Sequence, residues 1–254
     1  MRIGLFIKEE LSETDIATYL ISKINQYDFD FDNENPDAVI YVGGDGTFLR
    51  AVHHYIDKLD DIVFVGINEG SVGYYPQFAI EDIDEILSLI DDCTFYRKQR
   101  LLSAKIGEET IYALNEIRIE NPFHTLICEV FVNGVFLETY RGNGLSISTC
   151  GGSGAYNRSL GGAIVSPQLD AIQLTEIAPI NNYRYHSLNS PLVLSGKEMI
   201  ILKGDFAEAV VGYDHLTLSS EGNYIEFTLS NKSVTILRTN DFDYVNKLYE
   251  TFVK

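Results

Sequence analysis

Three glycines and one carboxylate stand where a strand-like run gives way to a helix-like run, in Gly43-Gly44-Asp45-Gly46-Thr47. Glycine adopts backbone conformations that a Cβ forbids, so ligand atoms can approach the bare main chain, and amides at a following helix N-terminus favour anions. Asp45 is the side chain of this turn that can do acid–base work. The same residues also fit an ordinary strand-to-helix junction, in which Asp45 is the N-cap and accepts a backbone amide.

A second glycine-rich region extends from Arg141 to Gly162 and holds seven of the chain's 20 glycines. In one interpretation, its bare amides and the side chains of Ser153, Tyr156 and Asn157 line a site for a polar, flat ligand. In the other interpretation, the region is two flexible turns around a strand.

Two polar pairs stand at candidate strand junctions. Asn115-Glu116 follows an apolar run, and its carbonyl and carboxylate oxygens could accept the hydroxyls of a ribose or could simply be exposed. Asp214-His215 is similarly ambiguous, because lone histidines are more often structural than catalytic.

Several common motifs are absent from the sequence. It contains no Gly-x4-Gly-Lys-Ser/Thr loop, no Gly-x-Gly-x-x-Gly opening a helix and no His-Glu-x-x-His pair. The chain is therefore predicted to be neither a P-loop enzyme nor an ordinary Rossmann dehydrogenase, and none of its residues is predicted as a metal ligand.

The composition favours a folded cytoplasmic protein. An apolar fraction of 45% supports a core, and a formal charge of -18 argues against general binding to nucleic acid or to an anionic membrane. Cys93, Cys128 and Cys150 are spaced for neither a zinc site nor a disulfide framework, which predicts reduced thiols. The N-terminus does not read as a signal peptide, and no apolar run reaches bilayer length.

The first part of the chain alternates strand and helix patterns. Strands are predicted over residues 2–7, 37–42 and 62–67, with a helix starting near Ser12 and a second helix through Phe48 to Ile56. A third helix carries its apolar face on Ile83 to Ile90. This order predicts a parallel sheet covered by helices, and ligands of such sheets bind beyond the carboxyl ends of the strands, where residues 43–47 lie.

After about residue 100 the pattern changes to short strands with no helix between them. Asn133-Gly134 between two strand-like runs is a strong two-residue hairpin signal. Apolar residues at helical spacing between Asp241 and Val253 predict a closing helix that packs back on the N-terminal domain. The predicted fold class is an α/β N-terminal domain (residues 1–98) followed by a mainly antiparallel β domain (residues 99–238) and this helix (residues 239–254).

Taken together and in this order, these pieces resemble the NAD kinase family, of the short bacterial type, over nearly the whole chain. Residues 43–47 look like the family's signature loop, which diacylglycerol-type lipid kinases and phosphofructokinases share in similar form. The other segments that carry the resemblance are Gly66-Ile67-Asn68, Gly70, Gly73-Tyr74, Leu114-Asn115-Glu116, Arg141-Gly142, Ser148-Thr149, Gly152-Ser153, Ala155-Tyr156-Asn157, Gly161-Gly162 and Asp214-His215.

The resemblance implies phosphorylation of the adenosine ribose 2′-hydroxyl of NAD to NADP, with ATP or polyphosphate as donor. Asp45 is then the base next to that hydroxyl, Asn115, Ser153 and Ala155 lie near the adenosine, and Glu116 lies near a ribose. Further substrate-binding positions implied by the family are Gly46, Tyr74, Asn143, Tyr156, Ser159, Ala178, Tyr185, Asp214 and His215. Phosphate-binding positions are Gly43, Gly44 and Thr47.

The resemblance also implies the cofactor and the assembly. Mg²⁺ or another divalent metal is expected to bind with the phosphate donor. Family members assemble as homodimers or homotetramers, and Tyr185 matches a position where a neighbouring subunit reaches the site. No nucleic acid and no membrane is expected as a partner.

The sequence departs from the family pattern in its second glycine-rich region. Where the family usually reads Thr-Pro-Thr-Gly-Ser-Thr-Ala-Tyr, residues 149–156 replace a proline and two hydroxyl residues by Cys150, Gly151 and Gly154. Asn143 stands where Asp is usual and Glu69 where Thr is usual. We expect weaker binding or a less preorganised loop. Two alternatives therefore stay open: a dinucleotide-binding regulatory protein with weak or no kinase activity, and a lipid kinase of the diacylglycerol kinase-like superfamily.

Overall fold

The structure is a computed structural model that describes residues 1–8, 15–69, 73–92, 96–220, 222–238 and 243–254. Contacts divide the chain into two compact units. Unit 1 comprises Met1–Gln99 and Ser233–Lys254, and unit 2 comprises Arg100–Lys232. The domain boundaries predicted at residues 98 and 238 stay a prediction.

Unit 1 has a parallel sheet with helices. Its sheet strands are β1 (Arg2–Ile7), β2 (Asp30–Phe31), β3 (Ala38–Val42), β4 (Val63–Ile67) and the last residues of β16 (Tyr224–Leu237). The order is β2-β1-β3-β4-β16, and every pair in it is parallel. Its helices are α1 (Asp15–Gln26), α2 (Asp45–His54), α3 (Ile83–Asp92) and α5 (Tyr244–Phe252).

These strands and helices bury the apolar side chains that recur at strand or helix spacing in the sequence. All five residues of β3 are buried, as in a strand covered on both faces. Phe48 of α2 is fully buried, and its ring centroid lies 4.8 Å from that of Tyr41, 5.8 Å from that of Phe64 and 4.6 Å from that of Tyr75. This aromatic cluster fixes α2 directly after the glycine-rich loop.

Unit 2 consists of antiparallel strands in two sheets. One contains the first part of β16, β13 (Ile200–Gly204), β8 (Leu126–Val132) and β9 (Val135–Gly142) in that order, with β5 (Tyr96–Ile106) on β16 and β6 (Glu109–Ala113) on β5. The other has the order β12 (Leu192–Ser195), β11 (Ala171–Ile177), β10 (Gly144–Thr149), β7 (Glu116–Glu120), β14 (Val210–Tyr213) and β15 (Leu216–Ser219). Buried side chains from both sheets form one core, which includes Tyr140, Ile147 and Phe227. The short helix α4 (Tyr156–Ser159) follows β10.

The predicted fold class is confirmed. The hairpin at Asn133-Gly134 has the two positive φ values of a tight primed turn, 50° and 79°, with Val132 opposite Val135. The closing helix belongs to unit 1 and begins after an N-cap, Asp243, whose carboxylate accepts the amides of Val245 and Asn246.

Some details differ from the prediction. Helix α2 begins at Asp45 and ends at His54, so Tyr55 and Ile56 lie beyond it. The two-residue strand β2 gave no signal in the sequence, because its pairing with β1 is a tertiary contact. The predicted helix start at Ser12, the loop position Gly70 and residues 241–242 lie outside the described residues.

Cys128 and Cys150 are buried, whereas Cys93 lies outside the described residues. Across the part of the chain that is described, no helix has the length and apolarity needed to cross a bilayer.

We predict that Phe48→Ala destabilises the fold by about 3–5 kcal/mol, because it leaves a cavity among three aromatic rings. Urea unfolding measures this change. Phe123→Ala removes the same atoms at a side chain that is 89% exposed, and it should change stability by less than about 0.5 kcal/mol. Equal effects of the two substitutions would contradict the role given to Phe48.

Candidate functional site

The glycine-rich loop of unit 1 is a tight strand-to-helix connection. Gly43 has a φ of 145°, and a Cβ there would lie 2.4 Å from Thr47 Oγ1, so this position requires glycine. Gly44 is the N-cap of α2, and its carbonyl accepts the amides of Thr47 and Phe48 at 3.0 and 3.2 Å. Because the first amides of a helix lack partners within it, the start of α2 offers donors to an anion.

Asp45 is the first residue of α2 and does not cap it, so the N-cap interpretation is wrong. Its two carboxylate oxygens accept the backbone amides of Tyr74 and Tyr75 at 3.0 and 2.9 Å. The half-buried carboxylate is thereby held in one orientation. Because each carboxylate oxygen has two lone pairs, acceptor capacity remains for a ligand hydroxyl.

Cations that sequence reasoning missed lie close to this loop. Arg50 of α2 donates from Nη2 to Thr47 Oγ1 at 3.3 Å. Arg97 hydrogen-bonds to the side chain of Tyr74, while burial raises the pKa of that phenol. The helical spacing of Arg50 from the loop is a local signal that could have indicated it, but the position of Arg97 depends on the tertiary fold.

In unit 2, hydrogen bonds to Asp214 hold the Asn115-Glu116 turn in place. Its carboxylate accepts the amides of Leu114 and Asn115 at 2.7 and 2.8 Å, and its own amide donates to the Glu116 carbonyl at 3.1 Å. Asp214 adopts a φ of 49°, a region that Asp tolerates better than most residues. The buried Asp214 therefore positions Asn115 and Glu116, and the neighbouring His215 is exposed.

Glu116 is a buried acid with spare acceptor capacity. The residue is 4% exposed, Oε1 lies 3.4 Å from Arg118 Nη1, and Oε2 is buried with no hydrogen-bond partner in the described part of the chain. Burial, followed by the neighbouring Asp214 charge, raises the pKa of Glu116 to about 7. The carboxylate also accepts the backbone amide of Tyr156, which links β7 to the second glycine-rich region.

Buried hydrogen bonds close the loop of residues 149–156. Thr149 Oγ1 donates to the Leu114 carbonyl at 2.6 Å and accepts the Gly152 amide at 3.0 Å. A Cβ on Gly152 would lie 2.1 Å from the Asn115 carbonyl oxygen, so only glycine permits this approach. The loop thus stands directly against Asn115.

The side chains of Ser153 and Asn157 bond within this region. Ser153 Oγ donates to the Cys150 carbonyl at 2.7 Å and accepts the Val165 amide at 2.9 Å. Asn157 is fully buried, donates to the Ser153 carbonyl at 3.1 Å and accepts the Thr175 hydroxyl at 2.7 Å. Both side chains serve the loop itself, and a substrate contact by Ser153 stays a prediction.

Tyr156 is half-buried, and its side chain contacts two residues of β7 that the sequence alone did not indicate as site residues. Its hydroxyl donates to Glu120 Oε1 at 3.2 Å, and the Arg118 guanidinium lies 4.9 Å from its ring centroid. Arg118 Nε in turn donates to Glu120 Oε2 at 2.7 Å. The alternation Glu116, Arg118, Glu120 puts all three on one face of the strand, which is a signal that the sequence contained.

The remaining predicted residues lie on other parts of unit 2. Asn143 donates its amide to Ile177 and its Nδ2 to the Asn121 carbonyl, and the following Ala178 has a φ of 48°. The ring of Tyr185 lies 4.5 Å from the Arg141 guanidinium. Ala155 donates to the Gly152 carbonyl, and Ser159 is exposed.

The described residues include no group of three or more His, Cys, Asp or Glu side chains that could hold a metal ion.

Comparisons with known proteins cover both parts of the sequence. The family model described as the ATP-NAD kinase N-terminal domain matches residues 9–92, and the model of the ATP-NAD kinase C-terminal domain matches residues 114–239. The chain is 34% identical over its whole length to an NAD kinase of Leuconostoc citreum (strain KM20), of which 98% is covered. It is also 34% identical over its whole length to NAD kinase 1 of Bacillus anthracis, of which 99% is covered.

Two solved structures share the fold. Yeast NADH kinase complexed with NADH gives a TM-score of 0.84 at 19% identity, covering 98% of this chain and 86% of that chain. An NAD kinase from Archaeoglobus fulgidus in complex with ATP gives a TM-score of 0.77 at 23% identity, covering 94% of each chain. At these low sequence identities, structural similarity shows only that the fold is shared.

We predict that the stability of the protein depends on pH through Glu116. A pKa of about 7, against an ordinary value of 4.5, means that the folded state holds this proton more tightly than the unfolded state. The resulting stabilisation of the folded state is complete below pH 4.5, the ordinary pKa of the group, and is lost as the pH rises to about 7, its pKa in the folded protein. Over this range the free energy of unfolding falls by roughly 3 kcal/mol.

Urea unfolding between pH 4.5 and 7.5 tests this prediction. The free energy of unfolding should fall more steeply with pH in the wild type than in Glu116→Gln, which keeps the shape of the side chain but does not titrate. Parallel curves for the two proteins would refute it.

Proposed function

This chain belongs to the NAD kinase family, a family of phosphotransferases, and from that premise we propose that it transfers a phosphoryl group to the adenosine ribose 2′-hydroxyl of NAD, giving NADP. Asp45 is the catalytic base in this proposal. The observation that carries it is the Asp45 carboxylate, fixed by the amides of Tyr74 and Tyr75 at the start of α2.

The chemistry constrains what Asp45 does. A carboxylate is a much weaker base than an alkoxide, so Asp45 does not deprotonate the ribose hydroxyl beforehand. Phosphoryl transfer passes through a loose transition state in most analyses, in which positioning and charge stabilisation dominate. Asp45 orients the hydroxyl, the new oxygen–phosphorus bond forms as the bond to the leaving phosphate breaks, and the proton moves late to the carboxylate.

The phosphate donor is proposed to bind at the amino end of α2 beside Gly43, Gly44 and Thr47, where the first amides of the helix and the hydroxyl of Thr47 are the donors. ATP and polyphosphate both present the anionic oxygens that such amides favour. Mg²⁺ would arrive with these oxygens and reduce their negative charge. In an acidic protein, that reduction of charge favours donor binding.

The dinucleotide is proposed to bind through residues of unit 2. Asn115, Ser153 and Ala155 contact the adenosine, and the unpartnered Oε2 of Glu116 accepts a ribose hydroxyl. Tyr156, held by Arg118 and Glu120, offers a flat surface next to them. Gly46, Tyr74, Asn143, Ser159, Ala178, Tyr185, Asp214 and His215 complete the proposed substrate-binding set.

The remaining parts of the proposal concern the assembly and the cell. A homodimer or homotetramer, with Tyr185 at the position where a neighbouring subunit reaches the site, stays a prediction. A cytoplasmic location also stays a prediction. The loop that lacks the family's proline and two hydroxyls is nevertheless closed by Thr149, Ser153 and Asn157, all of them buried. These hydrogen bonds support a preorganised loop.

The two alternatives are not favoured. The relatives that share the whole length of the chain at 34% identity are named NAD kinases, and both domain models carry the same description. A lipid kinase or a regulatory protein without turnover has no comparable support.

We predict that the purified protein forms NADP from NAD with Mg²⁺ and ATP or polyphosphate, and that Asp45→Asn lowers kcat by about 10²- to 10⁴-fold, the range typical of a lost general base. NAD binding, measured by calorimetry, should persist in the variant. Asp57→Asn, at an exposed acid of the same unit, is the matched control and should keep full activity.

Absence of NADP with either donor, or full activity in Asp45→Asn, would overturn the proposal. Tight NAD binding without turnover would instead support the regulatory alternative.

A further inference from the structure

The segment Tyr74–Pro76 in unit 1 connects Asp45 to three cations. Its amides hold the Asp45 carboxylate, and its carbonyls accept hydrogen bonds from basic side chains. Arg238 Nη1 donates to the Tyr75 carbonyl at 3.2 Å, and Lys247 Nζ of α5 donates to the Pro76 carbonyl at 3.4 Å. Together with Arg97, which bonds to the side chain of Tyr74, they form a cluster that we call the cation cluster: Arg97, Arg238 and Lys247.

The members of this cluster are partly removed from water. Arg238 is 5% exposed, and Arg97 and Lys247 are half-buried. Arg97 Nη2 is buried and has no hydrogen-bond partner among the described residues. A buried donor on a charged group that lacks an acceptor is costly, so this nitrogen is well suited to an acceptor on an anionic ligand.

The cations also act on one another. Burial, followed by the Arg97 charge, lowers the pKa of Arg238. Burial, followed by the Arg238 charge, lowers the pKa of Lys247, while the nearby Asp45 carboxylate opposes that shift. Like charges thus stand close together next to Asp45.

This arrangement is unusual for such an acidic chain. The sequence has 37 acidic residues against 19 basic ones, so carboxylates are abundant. Within the described ranges, however, neither Arg97 nor Lys247 forms an ion pair with a carboxylate. Half-buried cations that are not used to neutralise the protein's own acids are well suited to an anionic ligand.

We propose that Arg97, Arg238 and Lys247 form a phosphate-binding site beside Asp45, and that it receives the terminal phosphates of the phosphate donor. This inference rests on the proposed function, because a kinase base must stand next to the group that is transferred. The guanidinium forks and the ammonium group stabilise the charge on the phosphoryl oxygens and take no part in proton transfer. The pyrophosphate of the dinucleotide is the other possible source of the same oxygens.

Calorimetric titration of the full chain with inorganic tripolyphosphate alone, and with NAD alone, tests the site without turnover. Lys247→Gln keeps the length of the side chain and removes its charge, so it should weaken tripolyphosphate binding about ten- to a hundred-fold. Lys247→Arg should restore most of the affinity. Lys58→Gln is the matched control, because Lys58 is an exposed lysine of unit 1 that donates to the Glu34 carbonyl, and it should bind as the wild type does.

Arg97→Gln provides a second, independent variant, and thermal unfolding checks that each variant folds. A loss confined to the NAD titration keeps the phosphate site but assigns it to the dinucleotide. The inference is overturned if the wild type binds neither tripolyphosphate nor NAD. It is also overturned if Lys247→Gln and Arg97→Gln each bind tripolyphosphate and NAD with the affinity of the wild type. Weakened binding in a protein that makes no NADP would refute the proposed function and leave the site standing.

Discussion

Two hydrogen bonds, from the amides of Tyr74 and Tyr75 to the carboxylate of Asp45, fix the acid on which the proposed chemistry depends. They join the start of α2 to a segment about 30 residues later in the sequence. The packing of Phe48 against the rings of Tyr41 and Tyr75 holds both partners in place. A carboxylate fixed in this way loses little further freedom when it binds a hydroxyl, which is the physical meaning of a preorganised base.

In unit 2, a carboxylate that accepts two consecutive backbone amides holds a turn in place. The Asp214 carboxylate also accepts two consecutive amides, those of Leu114 and Asn115. Asp214 is more deeply buried than Asp45. Burial is the main cause of the raised pKa of Glu116 and the Asp214 charge adds to it, so one acid shapes the turn and also contributes to the protonation of its neighbour.

The protein has a negative net charge, but its candidate phosphate-binding sites carry local hydrogen-bond donors and cations. A formal charge of -18 repels anions at a distance. Polyanionic substrates therefore need local donors, and the structure offers two kinds, the amides that open α2 and the cation cluster. Local hydrogen bonds and partly buried charges are screened less by salt than exposed charges are, so they can overcome the unfavourable mean field.

The sequence by itself determined the order of the elements, the Asn133-Gly134 hairpin and the importance of residues 43–47, because strand and helix periods, turn residues and glycine spacing are local properties. It also marked Asn115-Glu116 as a polar turn. Only the tertiary structure decided that Asp45 is held by Tyr74 and Tyr75, that Asp214 fastens Asn115, and that Arg97, Arg238 and Lys247 gather around one segment. Hydrogen bonds such as that of Arg238 to Tyr75 span 163 residues, and no local pattern encodes a partner at that distance.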